Sequence, residues 1–306
     1  MVAPAIAWLL LMALWASGSD SAYIADVEQW RAQRENRLRA DDGWLSLVGL
    51  FWLRPGENRV GSAPDSQIRL PEGAPAHVGA FILEGNKILF RTNPGVSVYS
   101  AGRAVTMLEM RPDNPGPADV VSVGDLSMLV IKRGHRFGVR LRDKNSKFRK
   151  EFRGCRWFPV DEAYRVEGSF VPYHPPKQVP ILNILGDTEY HTSPGYVRFR
   201  IAGRECRLEP VLDNGRLWFI FRDQTSGKET YAAGRFLYAD PPREGRVILD
   251  FNKAYNPPCA FNPYTTCPVP PKQNRLPVPV RAGEKTYEPG GSGGSEKPEK
   301  SRKSRS

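Results

Sequence analysis

Six turn signals break the stretch from Pro55 to Asp125 into short pieces. They are Pro55-Gly56, Pro71-Glu72-Gly73, Glu84-Gly85-Asn86, Asn93-Pro94-Gly95, Asp113-Asn114-Pro115-Gly116 and Gly124-Asp125. The segments left between them are too short for ordinary globular helices and suit strands. Ile82, Ile88 and Phe90 flank one such turn, and Val130-Ile131 marks a further strand. With 28 glycines and 28 prolines in 306 residues, the chain carries the punctuation of an all-β protein.

The second half repeats the pattern after a transition at Trp157-Phe158-Pro159-Val160, which places a boundary near residues 145–160. Strands are expected at Tyr164–Tyr173, Gln178–Leu185 and Tyr196–Ala202, with Tyr173-His174-Pro175-Pro176 ending the first and a turn at His191–Gly195. Asp213-Asn214-Gly215 is a strong hairpin signal, because both central residues of its turn tolerate positive φ. After it, Leu217, Phe219 and Phe221 share one face, while Trp218, Ile220 and Arg222 share the other. Tyr231 and Arg235 are expected on one strand face, opposite Thr230 and Phe236. Val247, Leu249 and Phe251 alternate with Ile248, Asp250 and Asn252.

Helix is expected only near the start. Ala22–Ala40 sets Val27, Trp30 and Leu38 among polar residues and ends at Asp41-Asp42-Gly43, as a clasp across the domain. Trp44–Leu53 is strongly apolar and reads as core. Met1–Gly18 is an apolar run with small residues before Ser19, so it reads as a signal peptide and the protein as exported, periplasmic or extracellular. An uncleaved apolar anchor is the alternative; after removal of a signal peptide no membrane span is expected. The resulting division is 1–18 signal or anchor, 22–150 helix plus sandwich, 151–283 second β domain, and 284–306 a tail too polar to order.

The formal charge is +11, of which the tail contributes six Lys/Arg against four Glu. The basic residues are scattered, so no nucleic-acid partner is expected. The densest run holds Arg133, Arg136, Arg140, Arg142, Lys144 and Lys147 and reads either as solvated surface or as a seat for a phosphate or carboxylate. The four cysteines form no C-x-x-C unit, so neither a metal site nor a cofactor is expected. Cys259 and Cys267 lie close enough in sequence for a disulfide in an oxidising compartment, with free structural thiols or reactive cysteines as alternatives.

Two resemblances rest on particular residues. Val60-Gly61-Ser62, Ile68-Arg69-Leu70-Pro71, Ala74-Pro75-Ala76-His77 and Val123-Gly124-Asp125 resemble the front half of a forkhead-associated domain, which implies a β-sandwich. Ser62 stands where that family carries its phosphate-gripping Arg, and Ala74 where its loop carries Ser, so His77 reads as structural. GWLSLVGLFWL, ETYAAGRFLYA, VILDFNKAYNPPCAFNPYTTCPVPPKQNRL and RAGEK resemble the DUF1684 family, from about Ala22 to Lys285. That resemblance implies a two-part, mainly β protein and no activity. The fold expected is therefore all-β: an N-terminal helix, a forkhead-associated-like sandwich and a second β-barrel or β-sandwich.

Glu229–Leu276 is the best place for a site, because its loop packs Asn, Pro and aromatic residues together. Asn252, Asn256, Asn262 and Asn274, with six prolines among them, describe a rigid lip over a β mouth. Asp223, Glu229, Tyr231 and Asp250 are the catalytic candidates, and Arg235, Asn252, Tyr255, Asn256 and Asn274 the ligand-binding ones. Gathered at one rim, they would hold a small polar or anionic ligand. Paired carboxylates with Tyr and Arg could instead hydrolyse one, and a third reading is an interaction scaffold without a pocket. The opposing account is a buried network in which Arg235 pairs with Asp250 and satisfies loop carbonyls.

Overall fold

The computed structural model describes the backbone of residues 5–289 and the side chains of residues 21–289. One long helix, α1 (Ala5–Arg39), comes first. The expected helix lies within it. The signal or anchor expected over residues 1–18 falls wholly or in its side chains outside the described residues. Among the described residues no helix is long and apolar enough to cross a membrane.

The buried stripe of α1 runs Val27, Arg31, Arg34, Leu38, at helical spacing of four, three and four. Two of its four positions are arginine. Gly43 stops the chain against the helix end; a Cβ there would sit 2.4 Å from the Arg37 carbonyl oxygen.

Eleven strands then build a two-sheet sandwich: β1 (Leu47–Trp52), β2 (Gly56–Gly61), β3 (Ile68–Arg69), β4 (Gly79–Glu84), β5 (Lys87–Thr92), β6 (Tyr99–Ser100), β7 (Arg103–Ala104), β8 (Met107–Glu109), β9 (Val120–Val123), β10 (Leu126–Arg133) and β11 (Arg136–Asp143). One sheet runs β1-β11-β10-β9-β6-β7 and the other β3-β2-β4-β5-β8. Between them lie Phe81, Phe90, Val121, Met128, Val130 and Val139, all buried. The two phenylalanine rings meet at 4.9 Å, within the range of favourable aromatic pairs.

After a short helix α2 (Lys147–Lys150), the second unit holds β12 (Arg165–Leu182), β13 (Thr188–Ile201), β14 (Arg204–Leu208), β15 (Val211–Asp213), β16 (Arg216–Phe221), β17 (Arg235–Ala239) and β18 (Arg246–Asp250). Its sheets run β14-β13-β12-β18 and β15-β16-β17. The expected hairpin joins β15 and β16, with Asn214 and Gly215 at φ +47° and +77°. Leu217, Phe219 and Phe221 enter the core with Leu237, Leu249 and Phe251 as their alternation requires. Trp218 and Ile220 pack on the opposite face.

Three expectations are corrected by the fold. The turn expected at His191–Gly195 is continuous strand. Opposite it stands the break expected at Tyr173–Pro176: between Pro172↔Gly195 and Lys177↔Ser193 the ladder omits those four residues and, on the facing strand, Pro194 alone. Proline lacks the N–H that a ladder needs, so prolines on both strands make an irregularity in one long hairpin rather than two ends. Tyr231 precedes β17 instead of lying on it. The tail is ordered at its start: Glu284 is wholly buried, and Tyr287 packs on Phe152 and Phe261. Residues 290–306 of the expected tail lie outside the described residues.

The long hairpin positions the Pro-rich loop. Its tip grips that loop, with Ile184 N donating to Cys267 O at 3.0 Å and Val269 N to Leu182 O at 2.7 Å. Arg136 of the sandwich ties the same tip through Asp187 at 2.6 Å.

Candidate functional site

Arg235 begins β17 and is completely buried. Its Nη2 donates to Asp223 Oδ2 at 2.9 Å and to Val280 O at 2.8 Å, and its Nη1 donates to Ala282 O. Asp223 Oδ1 accepts from Thr225 N at 2.8 Å, Thr225 Oγ1 at 2.6 Å and Val280 N at 3.2 Å. The pair therefore pins the final segment, residues 278–284, onto β17. Its polar atoms face protein on every side, as a buried ion pair requires. Arg235 pairs with Asp223, not with Asp250.

The other candidates are dispersed. Glu229 pairs with Arg281 on the surface at 3.0 Å. Tyr231 donates to Cys259 O at 3.2 Å. Asp250 accepts from Tyr23 of α1 at 2.8 Å and from Asn252 N at 3.1 Å. Asn252 clamps Asp161 N at 3.1 Å and Asp161 O at 2.8 Å. Asn256 donates to the Glu284 carboxylate from both its nitrogens at 3.0 Å. Asn274 holds Glu209 N and Glu209 O, each at 2.8 Å. The three asparagines substitute for missing backbone partners in an irregular segment. Most polar groups of Arg235, Asn252, Asn256 and Asn274 are thus taken up by protein partners, with Arg235 Nε and Asn256 Oδ1 left over, and each of the four catalytic candidates has its own separate partners.

Glu284 adds a second buried centre. Its carboxylate lies 3.7 Å from Arg34 Nε, and burial pushes its pKa above the usual carboxylate value. In this structure Cys259 and Cys267, the pair expected as a disulfide, are unbonded. The loop brings them together, but Cys267 Sγ accepts the Cys259 amide at 3.1 Å instead of bonding its sulfur. The neighbouring Cys267 thiol lowers the pKa of Cys259, while burial raises that of Cys267.

Of the expected ligand-binding residues, Tyr255 alone lines a large cavity, about 720 Å³ in volume and lying where α1, the sandwich and the second β unit meet. Three walls enclose it. Arg133 and Arg140 come from β10 and β11, with Trp44 beneath Arg140 at 5.1 Å. Trp30, Arg34 and Arg37 come from α1. Trp218, Phe236, Tyr238 and Tyr255 come from the β16–β17 side, flanked by Arg216 and Lys253. The segment Thr265–Pro268, held by the hairpin tip, supplies the remaining edge.

Six cations line this cavity and no carboxylate does. The carboxylates that partner them stand outside the lining. Asp113 pairs with Arg133 at 2.9 Å and Arg140 at 3.8 Å, Asp240 with Arg216 at 3.2 Å, and Lys253 with Asp26 and, at 3.8 Å, Asp250. Glu189 approaches Arg133 at 3.8 Å, and Glu284 stands behind Arg34. Arg37 makes no ion pair among the described residues. Burial, followed by the like charge of Arg133, lowers the Arg140 guanidinium to about 10. Arg133 Nε and Arg140 Nη2 both donate to Thr266 Oγ1, at 2.9 and 3.0 Å.

Three N–H donors on the cavity's residues have no acceptor: Arg34 Nε, Arg140 Nε and Trp218 Nε1. Arg31, Arg142 and Arg235 also leave Nε unpartnered. An orphan guanidinium nitrogen is thus common in this fold, and what distinguishes the first three is the cavity they share. A second cavity, about 710 Å³, opens on the β12–β14 face, but its lining mixes Glu167 and Glu205 with Arg198, Arg200 and Arg207.

The sequence marks Arg133 and Arg140 as part of the basic run. It does not mark Arg34 as a site residue, although that residue's place in the helical stripe is a signal for burial. Trp218 and Tyr238 escape sequence reasoning, because nothing local shows that the outer face of β16–β17 meets another unit.

Residues 150–285 match the family described as "Protein of unknown function (DUF1684)". No curated protein matches the chain. Among solved structures, the solution NMR structure of an uncharacterized protein of Haloarcula marismortui is 33% identical, covering 45% of this chain and 79% of that one, with a TM-score of 0.39.

Proposed function

Residues 150–285 belong to the DUF1684 family, whose function is unknown, and we propose from the chain's own residues that the protein binds a small anionic ligand in the cleft between α1, the sandwich and the second β unit. The observation that carries this reading is the lining itself, six cations without one carboxylate around some 720 Å³. That volume is in the ordinary range of ligand pockets, ~300–1,000 Å³. An anion there would be held by charge-assisted hydrogen bonds, roughly twice as strong as neutral ones. The cavity stands beside the Pro-rich loop, and its charge comes from the helix and the sandwich as well.

The hydrolase alternative requires carboxylates from among Asp223, Glu229 and Asp250 to meet beside Tyr231 and Arg235, and the separate partners of these groups favour binding over it. Export belongs to the same proposal and rests on the apolar run Met1–Gly18. Sequencing the N-terminus of the protein recovered from its natural compartment tests it: Ser19 supports removal, Met1 the anchor. The forkhead-associated likeness is proposed for the fold of the sandwich alone. Ser62 donates its hydroxyl to Ala74 O at 2.7 Å, which leaves it no part in gripping a phosphate.

Calorimetric titration of the full chain with inorganic phosphate, sulfate and acetate tests the binding. Saturable binding of an oxyanion, weakened roughly tenfold or more by Arg140→Met, supports it. Failure of all three to bind, together with no co-purifying anion in native mass spectra, sinks it.

A further inference from the structure

Along the β16–β17 wall of the cleft, three aromatic rings stand nearly parallel. Trp218 and Tyr238 are cross-strand partners with centroids 6.1 Å apart and planes 13° apart. Tyr238 and Tyr255 repeat the relation at 6.4 Å and 13°. Tyr255 holds its place because the chain re-enters the sheet there, exchanging both backbone hydrogen bonds with Phe236. Offset parallel rings at such spacing accept a further flat ring by stacking. The wall needs more than apolar contact, however. Trp218 belongs to this wall, and its Nε1, sealed beneath the surface, has no acceptor in the protein; a ring with an acceptor at its edge satisfies that donor if binding uncovers it, and an apolar ring does not.

The charges lie on the facing walls. Arg34 stacks over Tyr255 at 4.6 Å and so joins the aromatic row to the cationic region. Arg140, buried, lies across from it with one nitrogen unpartnered. A phosphate ester brings three strong acceptor oxygens and close to two negative charges; a carboxylate brings two oxygens and one charge. Arg34 and Arg140 each keep one nitrogen without a hydrogen-bond acceptor, although each also has a carboxylate within 4 Å, and Arg37 makes no ion pair among the described residues; cations on separate elements suit the richer acceptor.

Resting on the anion-binding reading of the same cleft, we propose that the ligand is a phosphate ester carrying a flat heteroaromatic ring, the chemistry of a nucleoside monophosphate. The ring packs against the row of Trp218, Tyr238 and Tyr255, beside the guanidinium groups of Arg216 and Arg34 that lie over Tyr238 and Tyr255 at 5.3 and 4.6 Å, and the phosphate sits among Arg34, Arg37 and Arg140. Such a molecule bridges all three parts of the protein at once.

The test is calorimetric titration of the full chain with AMP, UMP, ribose 5-phosphate, adenosine and phthalate. The proposal expects a nucleotide to bind at least tenfold tighter than ribose 5-phosphate and than adenosine, since base–aromatic stacking is commonly worth about that much. Trp218→Leu should erase the advantage of the nucleotide over ribose 5-phosphate; should that variant fail to fold, Tyr238→Leu reads the same contact. If ribose 5-phosphate binds as tightly as both nucleotides, the ring assignment is overturned while anion binding stands. If phthalate matches the nucleotides, the phosphate assignment falls and an aromatic carboxylate takes its place. If no probe with a phosphate binds, this proposal falls, and inorganic phosphate and sulfate decide separately whether the anion reading falls with it.

Discussion

Arg235 and Arg140 are both buried arginines on β-strands, and both stand beside an aspartate. Around Arg235, Asp223 and three carbonyls of the closing segment take up the guanidinium from within the protein. Around Arg140, the aspartate is 3.8 Å away and already held by Arg133, and the open side faces a cavity. One arginine fastens the fold. The other carries a charge that the fold leaves partly uncompensated. Burial and charge do not separate a structural group from a binding group. Both leave Nε without an acceptor; what separates them is that both terminal nitrogens of Arg235 are hydrogen-bonded within the protein, while in Arg140 only Nη2 is.

The largest expected effect comes from Arg235. Arg235→Met strands Asp223 and the carbonyls of residues 280–284, and should cost about 3–5 kcal/mol in urea denaturation, as breaking a buried pair does. Arg140→Met should change stability by less than about 1 kcal/mol, because removing an underpaired buried charge also removes its desolvation cost. Equal losses in the two variants would erase the distinction between the two arginines.

Glu284 gives an intermediate case. Glu284→Ala leaves Asn256 without its acceptor and should cost about 1–3 kcal/mol, whereas Glu284→Gln should cost less. The pH dependence has a definite sign. Burial raises this carboxyl's pKa in the folded state, so between the ordinary value and the raised one the native chain binds more protons than the unfolded chain. Stability contributed by the group is full below the ordinary pKa and declines as pH rises through that window. Comparing melts of wild type and Glu284→Gln across pH ~4–8 checks it: the slope should flatten in the variant.

The strand pattern of both units is legible in turn residues and alternation, as the Asn214-Gly215 hairpin and the inward set Leu217, Phe219 and Phe221 demonstrate. The packing between units is not. Asn252, Asn256 and Asn274 look like ligand contacts because a sequence shows their polar groups without the backbone atoms that consume them. Their partners lie 91, 28 and 65 positions away. Glu284 looks like tail because its neighbours are polar, yet Arg34 and Asn256 supply the environment that orders it. Trp218 and Tyr238 sit on a face that local alternation makes the outer one. The cleft exists only because α1 and the sandwich close over that face.

The smallest expected effect is ionic. Ligand affinity in the cleft should fall several-fold between low and roughly 0.5 M salt, because the Debye length there drops below the width of the site. The Arg235 network, sealed from solvent, should lose little stability over the same range. If salt affected both alike, the two arginines would be equally open to solvent.

The most direct test is a single titration of AMP into the full chain and into its Arg140→Met variant, with heat as the readout. The account predicts one saturable site in the wild type and an affinity at least tenfold weaker in the variant. Identical binding curves for the two proteins would contradict it, as would no heat of binding in either.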